Sequence, residues 1–146
     1  MENIKTNLLM KKRCIFVGIH NKPGKTPLDS STRSGKVIDA IISGLTEFDC
    51  LKTNLHNLEY LPEDSKVHWD DTFTEWRKRA GLKPGQVVGR DVVVVCLGSY
   101  TQQMFRRTVG MRNILKIGHP AVPRSTESMN KYITTAIAKI NHPVNL

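Results

Sequence analysis

An imidazole, two carboxamides and a set of arginines are the groups in this chain whose settings suit chemistry. His119 lies in the loop Gly118-His119-Pro120-Ala121-Val122-Pro123-Arg124, directly after the apolar run Ile114-Leu115-Lys116-Ile117. Asn21 lies in a second loop, Gly18-Ile19-His20-Asn21-Lys22-Pro23-Gly24, directly after Cys14-Ile15-Phe16-Val17. A histidine held between glycine and proline can donate a hydrogen bond to charge that develops during reaction. Asn54 follows another apolar run, and its side-chain amide offers a donor and an acceptor together, which suits the edge of a pyrimidine. Gly18 and Gly24 let the backbone pass close to a ligand, and Pro23 stiffens the turn. The spacing is neither that of a dinucleotide fingerprint nor that of a phosphate loop, and Gly35-Lys36-Val37 does not complete the latter. Arg106, Arg107, Arg112 and Arg124 surround the last apolar run and suit phosphate contacts. His20, His56, His68 and His142 stand in weaker settings.

These residues need a scaffold that brings distant loops together. Residues 13–19 read as a short buried strand. A polar loop to about Arg33 follows, and Ser34 is expected to cap a helix over 35–45 with Val37, Ile38, Ile41, Ile42 and Leu45 on one face. Residues 48–53 read as a strand with Asn54 at its end. A helix is expected over 70–80, with Trp69, Phe73, Trp76 and Ala80 in line, Asp70 and Asp71 in its first turn, and Arg77, Lys78 and Arg79 in its last. Gly81 fits a C-terminal stop. Residues 91–97 form the clearest strand, with an unbroken apolar run from Val92 to Leu97 that suggests burial on both faces. Gly98-Ser99 opens a helix over about 100–109, residues 113–117 form a fourth strand, and a last helix over 126–140 aligns Met129, Tyr132, Ile133, Ala136, Ile137 and Ile140.

This β-α-β alternation predicts an α/β three-layer sandwich with a mostly parallel sheet of about four strands, in the order 2-1-3-4. In such sheets the site lies where the carboxyl ends of the strands converge. The 146 residues predict a single domain, with 1–12 as a surface lead-in and 141–146 as a loose tail.

The net charge is +9. Residues 1–73 carry 10 Lys/Arg against 10 Asp/Glu, and residues 74–146 carry 12 against 3, so the excess lies in the second half. A basic surface of this kind attracts polyanions, DNA among them. No apolar run reaches the roughly 20 residues of a membrane span. The start MENIKTNLLMKKR has no secretory apolar segment, so a cytoplasmic, nucleoid-associated protein without a membrane partner is expected. Cys14, Cys50 and Cys96 each fall in an expected strand, at spacings that fit no metal site, and are read as free thiols. No metal and no cofactor is called for.

Five segments together resemble the uracil-DNA glycosylase superfamily over roughly residues 13–140, closest to its compact microbial branches. Gly18-Ile19-His20-Asn21-Lys22-Pro23-Gly24 resembles the first motif, which positions the attacking water. Thr32-Arg33-Ser34-Gly35-Lys36-Val37-Ile38 is similar to the loop-to-helix stretch that follows it. Lys52-Thr53-Asn54-Leu55 resembles the strand whose asparagine reads uracil, and Val92 to Ser99 resembles the central strand ending in Leu-Gly-Ser. Gly118-His119-Pro120-Ala121 resembles the second motif, whose loop enters the minor groove. The first motif is two residues longer here and lacks the acid of many relatives. Ala121 stands for the second motif's serine, and residues 20–33 hold no Phe, Tyr or Trp to stack on a base.

The resemblance implies a uracil-DNA glycosylase-like fold and a monomeric, cofactor-free enzyme. Such an enzyme flips uracil or a related base out of DNA and hydrolyses its N-glycosidic bond, leaving an abasic site. It implies Asn21 and His119 as catalytic residues. Gly18, Ile19, His20, Pro23, Gly24 and Asn54 would form the base pocket. Arg33, Ser34, Arg107, Arg112, Pro120, Pro123, Arg124 and Ser125 would contact DNA. Two alternatives stay open: a DNA-binding module of weak or lost activity on the same fold, and an enzyme acting on small nucleosides or nucleotides.

Overall fold

A computed structural model describes residues 12–20, 25–56, 69–82, 92–106 and 114–142. Four strands, β1 (Lys12–His20), β2 (Phe48–His56), β3 (Val92–Leu97) and β4 (Ile114–Ile117), alternate with four helices. The helices are α1 (Arg33–Ser43), α2 (Trp69–Arg79), α3 (Ser99–Arg106) and α4 (Thr126–Asn141). The strands form one sheet in the order β2-β1-β3-β4, and every pairing is parallel. The fold is therefore an α/β three-layer sandwich of the expected strand order.

Alternation along the strands divides the apolar residues between the two faces. Cys14, Phe16, Val93, Val95, Leu97, Leu115 and Ile117 pack against Val37, Ile38, Ile41, Ala136 and Ile140, so α1 and α4 cover one face. Ile15, Val17, Val92, Val94 and Cys96 pack against Phe73, Trp76, Ala80 and Phe105, so α2 and α3 cover the other. All six residues of β3 are buried, as its unbroken apolar run requires. The aromatic residues of the second layer meet edge to face, with the Phe105 ring centroid 4.8 Å from those of both Phe73 and Trp76. The polar edge of Trp76 is satisfied: its indole N–H donates to Thr53 Oγ1 at 3.0 Å, and that hydroxyl donates to the Phe16 carbonyl at 2.8 Å.

Several boundaries differ from the sequence expectation. The cap of α1 is Thr32, not Ser34; its hydroxyl accepts from Gly35 N–H, and the helix starts at Arg33. Thr32 wins because its own backbone is extended and its hydroxyl also donates to Asp29 O at 2.7 Å, tying helix and preceding loop together. The second strand does not stop before Asn54. Its register with β1 continues through Gly18↔Asn54 to His20↔His56, which places Asn54 inside the paired strand. Helix α2 ends at Gly81 with φ +70 and a pair of C-terminal backbone bonds, as the glycine foretold. Cys14 and Cys96 are buried and Cys50 half-buried, all three as free thiols. Burial pushes the Cys96 thiol up to about 12. Among the described residues no helix is long and apolar enough to cross a membrane.

Replacing Trp76 with Phe removes the indole N–H that donates to Thr53 Oγ1 and opens space in the aromatic layer. The expected cost is about 1–3 kcal/mol in urea unfolding. An unchanged midpoint would mean that the indole bond carries no part of the stability.

Candidate functional site

Because all four strands run the same way, their carboxyl ends share one edge, and three of them open onto a single cleft. Gly18 and Ile19 of β1, Asn54 of β2 and His119 from the loop after β4 line it together. Lys25, Thr26, Leu28, Asp29, Thr32 and Ser34 complete the wall from the stretch leading into α1. The cleft holds about 150 Å³. Clefts for drug-sized ligands run to roughly 300–1,000 Å³, so this one suits a single ring.

A close approach sets the floor. Gly18 is paired with Asn54, and a Cβ on Gly18 would lie 2.5 Å from Asn54 Oδ1. Only glycine leaves the carboxamide its place. Asn54 is 3 % exposed, so its amide is held within the floor rather than waving above it. Its backbone is held too, since Arg79 Nη2 donates to the carbonyls of Asn54 and Leu55 at 2.9 and 3.1 Å. His119 is exposed, and its Nδ1 accepts the Ala121 N–H at 3.1 Å. In the neutral ring this fixes the proton on Nε2, making that nitrogen a donor. The loop that carries it is anchored from both sides. Arg33 Nη2 donates to the Pro123 carbonyl and Tyr132 Oη donates to the Gly118 carbonyl. Burial pushes the Tyr132 phenol up, which keeps it a donor.

The remaining wall is a short, heavily bonded loop. Asp29 accepts from Thr26 N–H, Thr26 Oγ1 and Ser31 N–H, and these bonds, that from Ser31 first, hold its carboxyl well below the usual range. Lys52 of β2 reaches across to Leu28 O at 3.0 Å and Ser30 Oγ at 3.1 Å, and pairs with Asp39 of α1. Burial opposes ionisation of Asp39, but the Lys52 and Ser30 hydrogen bonds and the Lys52 charge outweigh it and lower its pKa.

No family model matches the chain, and no curated protein matches it significantly. What the site can do follows from its geometry: a buried amide at the base of a ring-sized cleft, and an imidazole donor at its mouth.

The structure brings Gly18, Ile19, Ser34, Asn54 and His119 together as expected. Asn21, Pro23, Gly24, Arg107 and Arg112 lie outside the described residues, and of His20 only the backbone is described, as the end of β1. Three residues expected to contact DNA are also held within the protein itself. Pro120 is buried and cannot press outward; Val122, 70 % exposed, is the apolar tip of that loop. Ser125 caps α4 in a reciprocal pair with Ser128, and Arg33 is bonded to Pro123. Arg124 is exposed and Pro123 half-buried. A groove of about 710 Å³ runs between β4 and α4, with Ile117, Tyr132 and Ala136 among its walls. It is larger than the cleft and is lined by neither Asn54 nor His119. Sequence reasoning missed Leu28, Asp29 and Lys52. The polar 25–34 loop has no periodicity, and only its density of turn residues signalled a built wall.

The depressed carboxyl of Asp39 adds stability that is fully present above its ordinary value near 3.9 and lost as pH falls through its lower folded value. The wild-type melting temperature is therefore expected to fall steeply between about pH 5 and pH 2. Asp39→Asn should be less stable at neutral pH and lose less over that window. Parallel curves in a calorimetric pH series would remove the Lys52–Asp39 pair from the acid response.

Proposed function

We propose that the protein is a DNA glycosylase that takes uracil or a related base into the cleft and hydrolyses its bond to the sugar. The observation that carries this reading is the convergence of Gly18, Asn54 and His119 on one ring-sized space. The five-segment resemblance to uracil-DNA glycosylases agrees with it, and so does the basic second half of the chain.

A base inside a duplex must leave the stack to enter such a cleft, at a cost of a few kcal/mol. The exposed Val122 is suited to fill the gap left behind, and Arg124 beside it to contact a phosphate. Within the cleft the Asn54 amide pairs with the base edge, offering both a donor and an acceptor. The bond between C1′ and the base nitrogen then breaks with its electron pair moving to the base. The sugar becomes cation-like and the base anionic. His119 Nε2–H donates to the anionic carbonyl oxygen, where one well-placed donor is worth roughly 3–4 kcal/mol. Water adds to C1′ and passes a proton to the base anion, which leaves free base and an abasic sugar; the resemblance gives the placing of that water to Asn21 or a loop carbonyl. The ionised Asp29 lies on the same wall and favours the cation-like sugar electrostatically.

A panel of labelled single- and double-stranded oligonucleotides bearing different bases, treated with alkali after incubation, reports excision as strand breaks. Binding without breaks across the whole panel would point instead to a DNA-binding module of the same fold. His119→Ala should slow single-turnover excision by about a hundredfold while DNA affinity stays nearly unchanged. Equal rates would remove His119 from the mechanism. Asn54→Asp replaces the donor of the amide with an acceptor, so its preference among uracil, thymine and modified bases should shift. An unchanged preference would exclude Asn54 from base reading.

A further inference from the structure

A planar base needs more than edge contacts. Hydrogen bonds in its plane select it, but its face must rest on something apolar to leave water. Residues 20–33 contain no Phe, Tyr or Trp for that purpose. Most residues that line the cleft are of polar type, and the aliphatic side chains among them are those of Ile19 and Leu28. Strand alternation assigns Ile19 to the face of Val17, opposite to that of Gly18 and Asn54. Leu28 is on the Asn54 side, with its Cδ2 3.5 Å from where a Gly18 Cβ would stand.

The backbone of Leu28 is unusual. Its φ is +49, and among the described residues it is the one non-glycine with a positive φ. A branched side chain rarely adopts this conformation, and it persists where the surroundings over-determine it. Here they do. Lys52 Nζ donates to the Leu28 carbonyl at 3.0 Å while bonded to Ser30 and paired with Asp39. On the other side the carbonyls of Leu28 and Asp29 pack onto α1 where Gly35 has no side chain. A Cβ there would meet Asp29 O at 1.8 Å and Leu28 O at 2.6 Å. A loop that only had to turn would carry glycine or asparagine at this position. Leucine stands here instead, packed against the core on one side and clamped by its backbone, with Cδ2 close to the glycine beside Asn54.

We propose that Leu28 is the platform on which the face of the bound base rests, and that Lys52 is the positioning residue that holds it there. The inference rests on the base-binding reading of the cleft. An aliphatic platform of this kind supplies the apolar face without a ring, while Asn54 reads the edge.

The test uses the full chain and free uracil as probe, titrated by NMR, with single-turnover excision from a uracil-containing oligonucleotide measured alongside. Leu28→Gly removes the side chain and makes the positive φ natural, so the loop keeps its path. Its uracil dissociation constant should rise about tenfold or more, as when a stacking surface is removed. The DNA affinity of the intact oligonucleotide should change little. Leu28→Phe, which restores a larger face, should bind uracil at least as tightly as wild type. Lys52→Met should weaken uracil binding with Leu28 still present, the readout that separates positioning from contact. Wild-type affinity in Leu28→Gly overturns the platform, and so does a wild-type protein that binds no uracil. Uracil binding that depends on Leu28 in a protein that excises nothing supports the platform and overturns the glycosylase reading alone.

Discussion

The parallel pairing of β1 with β2, in register from Lys12↔Phe48 to His20↔His56, is the constraint from which the site follows. It sets Gly18 directly beside Asn54, and the missing side chain of one residue is the space occupied by the carboxamide of the other. A slip of one residue would turn Asn54 to the opposite face of the sheet, into the layer of Phe73, Trp76 and Phe105. The register is protected from both sides. Phe16 and Cys14 belong to one core and Ile15 and Val17 to the other, so any shift exposes the wrong residues to each helix layer. The bond chain Trp76–Thr53–Phe16 then ties helix, edge strand and central strand at the level just below the cleft.

Above that floor the wall is polar and held by many small contacts. Thr32, Asp29 and Thr26 form a compact set of side-chain and backbone bonds that ends in the cap of α1. Lys52 joins this set to β2 two residues before Asn54. The opposite wall, the His119 loop, is tied back by Arg33 to the same stretch and by Tyr132 to α4. The two walls are thus linked through Arg33 as well as through the sheet. Arg33, which the sequence pattern assigns to DNA, is in the structure also a strut between loops.

Much of the fold was legible in the chain. The apolar run of β3, the two amphipathic helices that became α1 and α4, and the Phe73–Trp76–Ala80 line of α2 carry strong periodic signals with burial as their direct cause. Boundaries were less legible. Asn54 looked like a strand end because asparagine is common there, yet tertiary pairing with β1 extends the strand past it. Ser34 looked like a cap, but Thr32 has the extended backbone and the bond to Asp29. The outward role expected of Pro120 failed because the loop folds that ring inward and exposes Val122.

By itself the sequence determined the layer architecture, the parallel strand order and the two glycine-flanked segments at strand ends, because hydrophobic period and turn chemistry are local properties. Only the tertiary structure decided that Asn54 is buried at the cleft floor, that Leu28 lies close to Gly18, and that Lys52 holds the loop between them. Those are contacts between residues 10 to 36 positions apart in the chain, as the numbers of Gly18, Leu28 and Asn54 show. No local pattern encodes which carbonyl a lysine will find across a sheet, since that depends on how the loop closes over strands packed from both sides.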